Sequence, residues 1–169
     1  MIDYKVDADG VATLIWNVAD RPMNVMNAAS TAAFDAAVRR AIEDPQVKGA
    51  IVTSSRPEFV AGGDLDLIRG IRTPEESFAA SGPVSSTLRL LEKSGKPFAA
   101  AINGTALGGG LEICLACHRR FVADDPKIQL GLPEVTLGLL PAAGGTQRLP
   151  RMIGIKNALP YLLEGRKAR

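Results

Sequence analysis

Two glycine-rich segments and two glutamates are the residues of this chain whose types and spacing could do chemistry. The segments are Ala61-Gly62-Gly63-Asp64 and Gly108-Gly109-Gly110-Leu111-Glu112, and the second glutamate follows in Pro133-Glu134. Glycines let a ligand approach backbone N–H groups because no Cβ atom blocks the way. Two N–H groups that converge on one carbonyl oxygen would form an oxyanion hole, and two nearby carboxylates would add acid–base chemistry. The pattern predicts an enzyme that acts on a thioester or a similar carbonyl compound.

The size and composition indicate one globular domain that spans residues 1–169. The chain is 46% hydrophobic and 22% charged, which is typical of a globular protein with a hydrophobic core. A net charge of +2 with scattered basic residues does not favour nucleic-acid binding. The sequence has no run of about 18 apolar residues, and its first residues have no signal-peptide core. We therefore expect a cytoplasmic protein with no nucleic-acid or membrane partner.

The two cysteines, Cys114 and Cys117, form a C-x-x-C motif beside His118. The motif suggests a zinc or redox site, but a structural zinc site needs four ligands and the sequence has no second C-x-x-C motif. Two small buried side chains one helical turn apart are the better interpretation. We expect no bound metal.

Hydrophobic periodicity predicts strands at the start of the chain and helices between the later strands. Apolar and polar residues alternate in 2–6 and 11–18, and the Asp9-Gly10 turn between them favours a hairpin. Helical spacing of apolar residues begins at Ala28, and Asp44-Pro45 ends that helix. Further buried strands are predicted at 49–53, 98–102 and 127–132, and further helices at 84–94, 111–119 and 155–164. Strands separated by helices favour α/β layers over an all-β sandwich. The polar stretch from 64 to about 82 has no predicted element.

Three other uses of glycine loops are excluded by the motifs they require. A dinucleotide fingerprint needs a third glycine in register after Gly110, and a P-loop needs a lysine at the position that Gly110 occupies. A serine hydrolase of the G-x-S-x-G type is excluded because that motif is missing and the only histidine, His118, falls in a predicted helix. What remains is a helix that begins near Gly109, with Glu112 in its first turn, where the helix dipole favours a carboxylate.

Structural roles remain open for each of these residues taken alone. A glutamate in a first helical turn is often only a favourable charge, and three glycines can serve close packing of a helix against a strand. Two carboxylates that lie close together should repel each other, so that one stays protonated near neutral pH.

Three motifs in this order resemble the enoyl-CoA hydratase/isomerase (crotonase) superfamily. They are Phe59-Val60-Ala61-Gly62-Gly63-Asp64-Leu65, the run from Asn103 to Glu112, and Gly131-Leu132-Pro133-Glu134 followed by Gly144–Pro150. The similarity extends from near residue 10 to the end of the chain. It is greatest to the N-terminal hydratase region of multifunctional fatty-acid oxidation proteins, in which a 3-hydroxyacyl-CoA dehydrogenase region follows. Nothing in these 169 residues corresponds to that region, so the resemblance implies a dehydrogenase region only for a longer, full-length protein. The resemblance implies an α/β fold built as a crotonase-like spiral of β-β-α units.

The resemblance also implies a role for each residue of the site. Gly63 and Gly109 would supply the oxyanion-hole N–H groups, and Glu112 and Glu134 match the two catalytic glutamates of hydratases. Gly63 stands where alanine is common in the family, a change that should be tolerated because the backbone does the work. Many relatives with other reactions lack one glutamate, so the presence of both favours hydration.

The implied substrate is an acyl-CoA thioester in which coenzyme A is part of the substrate and no further cofactor is required. The segment 21–27 and the first glycine loop resemble the stretch that holds the adenine and pantetheine of CoA. The matching residues are Asn24, Val25, Ala61, Gly62, Asp64 and Leu65. The implied activity is that of a lyase in fatty-acid β-oxidation, an enoyl-CoA hydratase that adds water across the trans-2 double bond, with enoyl-CoA isomerase activity as an additional expectation.

The end of the chain predicts that part of the family's fold is missing. No element is predicted after the helix at 155–164, whereas family members normally continue into C-terminal helices that cover the acyl pocket and often build a trimer. We therefore expect a truncated crotonase core that lacks the usual C-terminal helical subdomain and forms a homo-oligomer through exposed apolar surface. The alternative function is an inactive CoA-thioester-binding fragment.

Overall fold

The structure is a computed structural model that describes residues 1–19 and 21–168. Its strands are β1 Ile2–Val6, β2 Val11–Trp16, β3 Gly49–Ser54, β4 Phe98–Ile102, β5 Ala106–Leu107, β6 Arg119–Val122, β7 Leu130–Gly131 and β8 Lys167–Ala168. Its helices are α1 Ala28–Glu43, α2 Leu65–Gly70, α3 Pro74–Lys93, α4 Gly109–Ala116, α5 Gly145–Ile153 and α6 Ile155–Leu163, with a 3-10 helix at Pro133–Leu137. The predicted α/β class is confirmed.

The main sheet explains why the two glycine loops lie side by side. Its strand order is β1-β2-β3-β4-β6, in which β1 and β2 form the predicted hairpin and the later strands are parallel. The first glycine loop follows β3 and the second follows β4, and these two strands are direct neighbours. Carboxyl ends of parallel strands lie at the same edge of a sheet, the edge at which open α/β sheets bind ligands.

Alternation along the strands and one buried helix build the core. Ala12, Leu14 and Trp16 of β2 are completely buried, and Trp16 packs against Phe34 of α1 in a tilted arrangement with ring centroids 5.3 Å apart. Helix α4 is buried on all sides from Gly110 to Ala116. A helix that is apolar all round lies inside a protein, and Glu112 is the one ionisable carboxylate that it carries into the core.

Helix α3 is longer than its apolar pattern predicts. It begins at Pro74 rather than at Val84, because Thr73 and Glu76 form a capping box in which each side chain accepts the other residue's backbone N–H. The end is as predicted, since Gly95 has a positive φ of 78° just beyond the last turn. The short helix α2 was not predicted from the polar stretch, although Asp64 caps it.

The region after α4 also differs from the sequence-based expectation. The helix ends at Ala116 rather than near residue 119, and His118 lies outside it, where its Nδ1 accepts the Phe98 N–H at 3.1 Å. Arg119 then begins β6, because the chain joins the edge of the main sheet beside β4. The predicted strand at 127–132 is reduced to β7, which pairs with β5 and with β8. The expectation of no element after α6 was therefore wrong.

The two cysteines are buried, free thiols at the end of α4. Burial raises the pKa of both, that of Cys117 to about 12, and the Cys114 thiol donates to the Gly110 carbonyl at 3.2 Å. Thiols that stay protonated are poor nucleophiles and poor metal ligands. Over residues 1–19 and 21–168, no group of three or more His, Cys, Asp or Glu side chains is placed to hold a metal ion.

No helix in the described part of the chain is both long enough and apolar enough to cross a membrane.

Candidate active site

Backbone hydrogen bonds join three segments into one site. Leu107 N–H donates to the Val60 carbonyl at 3.1 Å, which connects the second glycine loop to the first. Met26 N–H donates to the Gly62 carbonyl at 2.8 Å, and the Met26 carbonyl accepts the Asp64 N–H at 3.0 Å. The segment around Met26 therefore runs alongside the first glycine loop, as the resemblance implied.

Gly63 and Gly109 present N–H groups that no acceptor in residues 1–19 or 21–168 uses. Met26 forms its bonds to the residues on either side of Gly63, so the Gly63 N–H faces away from Met26, and among the described residues it has no acceptor. Gly109 is the first residue of α4, a position whose N–H has no partner within the helix. A Cβ atom on Gly62 would lie 3.7 Å from the Gly109 nitrogen, so the two loops are in direct contact.

The glycines on either side of these donors are required by packing. Gly62 has a φ of 101° and Gly108 a φ of 53°, a backbone region that disfavours other residues. A Cβ atom on Gly110 would overlap the Val60 carbonyl. The same glycines thus allow the two loops to pack closely and leave the Gly63 and Gly109 N–H groups open to a ligand.

Glu112 is a buried carboxylate whose ionisation is shifted toward neutral pH. Only 3% of its surface is exposed, and its Oε1 accepts the Gly145 N–H at 2.7 Å. Burial raises the pKa of Glu112 to about 7, the charge of Glu134 adds to the increase, and the Gly145 N–H opposes it. Burial rather than repulsion between the two carboxylates is therefore the larger cause, which corrects the sequence-based expectation.

Glu134 reaches the same volume from the 3-10 helix. A Cβ atom added to Gly108 would lie 2.8 Å from Glu134 Oε1. A Cβ atom added to the next residue, Gly109, would lie 4.0 Å from Glu112 Oε2. Burial raises the pKa of Glu134, and its buried Oε2 has no hydrogen-bond partner within the described residues. A buried, unpaired carboxylate oxygen costs free energy, as functional carboxylates often do.

Asn24 ties the loops together from inside. Its side chain is completely buried, its amide donates to Trp16, Ser54 and Phe59, and its Oδ1 accepts the Val18 N–H at 2.9 Å. The side chain has no free polar atom for a ligand. Any effect of Asn24 on a ligand is exerted through the loop that it shapes.

The other residues that the resemblance matched to CoA binding differ in how far they are exposed. Leu65 is exposed, Val25 and Ala61 are half-buried, and Gly62 is buried. Asp64 is also buried, and its carboxylate both caps α2 and pairs with Arg21 at 2.7 Å.

Several residues of the site were not predicted from the sequence. Gly145 lies in the G-G-T-Q-R motif, to which we assigned no role, and its N–H holds Glu112. Ile68 Cδ1 is the atom nearest to a Cβ position on Gly63, and Met26 Sδ is the nearest for Gly109, so these two side chains flank the N–H groups. Met26 lies in the 21–27 segment, but a methionine there carries no polar signal.

We expect Gly63→Ala and Gly62→Ala to differ in their effect on stability. On Gly63 a Cβ atom would lie 2.9 Å from the flexible end of Ile68, which can move, so the free energy of unfolding should change by less than about 1 kcal/mol. On Gly62 it would lie 3.0 Å from the Leu107 carbonyl at a positive φ, so unfolding should become easier by about 1–3 kcal/mol. Urea denaturation measures both, and equal losses would contradict the assigned geometry.

Comparisons with known proteins agree on one family. The family model for enoyl-CoA hydratase/isomerase matches residues 10–169. Among solved structures, the enoyl-CoA hydratase from Bacillus anthracis is 34% identical with a TM-score of 0.89, and the match covers 98% of this chain and 63% of that one. A second structure described as an enoyl-CoA hydratase, from Geobacillus kaustophilus, is 33% identical with a TM-score of 0.90, over 99% of this chain and 64% of that one.

A third similar structure is DspI from Pseudomonas aeruginosa, which is 28% identical with a TM-score of 0.89, over 99% of this chain and 66% of that one. The chain thus spans a little under two thirds of the length of these relatives. The crotonase-like fold that the resemblance implied is confirmed by these matches. On the match to the family model and on these structures, the chain belongs to the enoyl-CoA hydratase/isomerase family.

Proposed function

We propose that the site hydrates the trans-2 double bond of an enoyl-CoA thioester. The observation that carries this proposal is the position of Glu112 and Glu134 beside Gly109 and Gly108. They lie next to the two N–H groups that have no acceptor in the part of the chain that the structure describes. Membership of the family and similarity to two solved structures described as enoyl-CoA hydratases support it.

The proposed reaction uses each part of the site once. The thioester oxygen accepts hydrogen bonds from the Gly63 and Gly109 N–H groups. Glu112 takes a proton from water as the water oxygen bonds to C3, the double-bond electrons move toward the thioester, and the enolate charge is held by the two N–H groups. Glu134 gives its proton to C2, and the product is the 3-hydroxyacyl-CoA. One proton then has to pass from Glu112 to Glu134 to restore the starting state.

The protonation states that this step needs are consistent with the surroundings of the two carboxylates. A pKa of about 7 leaves a large fraction of Glu112 ionised at neutral pH, ready to act as a base. Burial also raises the pKa of Glu134, so its protonated form, which the proton-donating step requires, is more populated than that of an exposed glutamate at the same pH.

We propose that the CoA part of the substrate lies along the surface made by Val25, Ala61, Gly62 and Leu65. The hydrogen bonds of Met26 hold the two segments that carry these residues side by side. Asn24 and Asp64 act from beneath, because their side chains are engaged by protein groups. Coenzyme A enters as part of the substrate, and the proposed reaction uses no other cofactor.

We further propose that the protein forms a homo-oligomer. Support comes from exposed apolar side chains near the end of the described chain, which are Leu137, Leu140, Ile155, Leu159 and Leu163. Unpaired apolar surface of this kind is typical of an interface. A cytoplasmic location, a role in β-oxidation and a linked 3-hydroxyacyl-CoA dehydrogenase region remain sequence-based predictions.

The test of the proposed function is hydration of crotonyl-CoA by the purified chain. Loss of the absorbance of the conjugated thioester, with 3-hydroxybutyryl-CoA identified by mass spectrometry, would support it. Calorimetric binding of crotonyl-CoA without turnover would favour the alternative, an inactive CoA-thioester-binding fragment. A substrate with a trans-3 double bond separates the isomerase reaction, since isomerisation creates the conjugated absorbance and adds no water.

A further inference from the structure

The Arg148 side chain joins helix α3 to the loop in front of α5. Its Nε and Nη2 lie 3.2 and 3.4 Å from the two carboxylate oxygens of Glu92, near the end of α3. Its Nη1 donates to the Ala143 carbonyl at 2.9 Å. Only 14% of the side chain is exposed. A planar guanidinium with several donors is suited to bridging two such acceptors.

The local backbone is shaped around this guanidinium. Arg148 lies in the first turn of α5, where the helix dipole disfavours a positive charge, so its partners must compensate. Gly144 has a φ of 106°, and the Arg148 Nη1 atom fills the space that a Cβ atom on Gly144 would need. Residues 143–145 are therefore held in one conformation by the arginine that follows them.

The same loop contacts Glu112 through the backbone of Gly145. Gly145 N–H donates to Glu112 Oε1 at 2.7 Å, and the backbone of Ala143, whose carbonyl Arg148 holds, also lowers the pKa of Glu112. A continuous path thus runs from Glu92 through Arg148 and the loop to the Glu112 carboxylate. Supporting contacts of this kind hold a functional side chain in one orientation without touching the substrate themselves.

We propose that Arg148, anchored by Glu92, is a positioning residue that holds the 143–145 loop against the Glu112 carboxylate and thereby orients it. The expected effect on turnover rests on the proposed function. The expected effect on the titration of the Glu112 carboxylate rests only on the contacts described above.

Charged groups on three neighbouring elements act on Glu112 directly or through Arg148. Glu134, from the 3-10 helix, opposes its ionisation, whereas the positive charge of Arg148 on α5 favours it. On α3, Glu92 contacts Arg148, and Arg89 pairs with Glu92 at 2.6 Å on the outer side. Arg89 has no hydrogen bond to the loop within the described residues, which makes it a matched control.

The experiment compares Arg148→Met and Arg148→Lys with Arg89→Met. The readouts are the titration of the ¹³C-labelled Glu112 carboxyl and the kcat and KM for crotonyl-CoA. In Arg148→Met the titration midpoint should rise by about 0.5–1 pH unit, since a cation and a fixed N–H are lost. Its kcat should fall about tenfold with KM changed by less than about twofold, the pattern of misplaced chemistry rather than lost binding. Arg148→Lys should recover part of both effects, and Arg89→Met should match the wild type.

An unchanged midpoint in Arg148→Met, or an equal rise in Arg89→Met, would overturn the inference. If Arg148→Met does not fold, Arg148→Lys and Glu92→Gln take its place. A smaller rise of the Glu112 titration midpoint is then expected, and an unchanged midpoint would overturn the inference. If the wild type does not turn over crotonyl-CoA, the proposed function fails while the titration still decides the role of Arg148.

Discussion

Replacing Glu112 with glutamine is expected to lower kcat for crotonyl-CoA hydration by about 10²–10⁴-fold, the usual range for loss of a general base. Glutamine has nearly the same shape, and its amide oxygen can still accept the Gly145 N–H that Glu112 Oε1 now accepts. What is lost is the ability to take a proton from water. The measurement is the initial rate at saturating crotonyl-CoA, with the KM recorded alongside.

A matched control exists in Glu164→Gln, which makes the same chemical change at an exposed site. The Glu164 side chain is 62% exposed and pairs only with nearby Arg166 among the described residues. It should keep the wild-type rate. A Glu112→Gln variant that retained that rate would remove Glu112 from the chemistry, whatever its pKa.

Replacing Gly109 with proline removes one of the two N–H groups of the proposed oxyanion hole. Proline lacks the N–H but is tolerated in the first position of a helix, which is where Gly109 lies. Removing one oxyanion-hole donor usually costs about 3 kcal/mol of transition-state stabilisation. We therefore expect kcat/KM for crotonyl-CoA to be about 10²–10³-fold lower for Gly109→Pro than for Gly109→Ala.

The alanine variant is the proper reference for this comparison. Both substitutions place a Cβ atom against Met26 Sδ, so that crowding is shared, while proline in addition replaces the N–H with its ring Cδ atom. Circular dichroism and urea denaturation would show that both variants fold. Equal kcat/KM for the two folded variants would mean that the Gly109 N–H does not hold the developing charge.

The parts of the fold that follow simple periodicity could be predicted from the sequence. The hairpin, the helix from Ala28 to the Asp44-Pro45 boundary and the buried strand at 98–102 are where the apolar pattern places them. The glycine loops and Glu112 were identifiable because the consecutive glycines and a carboxylate in the first turn of the following helix lie close together in the sequence. Each of these signals is local in the sequence.

The remaining features depend on contacts between distant segments. The small sheet of β5, β7 and β8 pairs residues 106–107, 130–131 and 167–168, none of which has enough alternation to predict a strand. The contact between Gly145 and Glu112 spans 33 positions, and that between Arg148 and Glu92 spans 56. Burial of Glu112, and so its shifted pKa, also arises only when α4 enters the core.

The pH dependence of kcat/KM for crotonyl-CoA hydration by the wild-type chain tests the central claim most directly. Glu112 must be ionised to take a proton from water, and its pKa is raised to about 7, so the rate should fall as the pH decreases through about 7. A profile with that acidic limb is the result we expect. A rate that stays level down to the ordinary glutamate pKa of about 4.3 would contradict a buried, near-neutral Glu112 as the base.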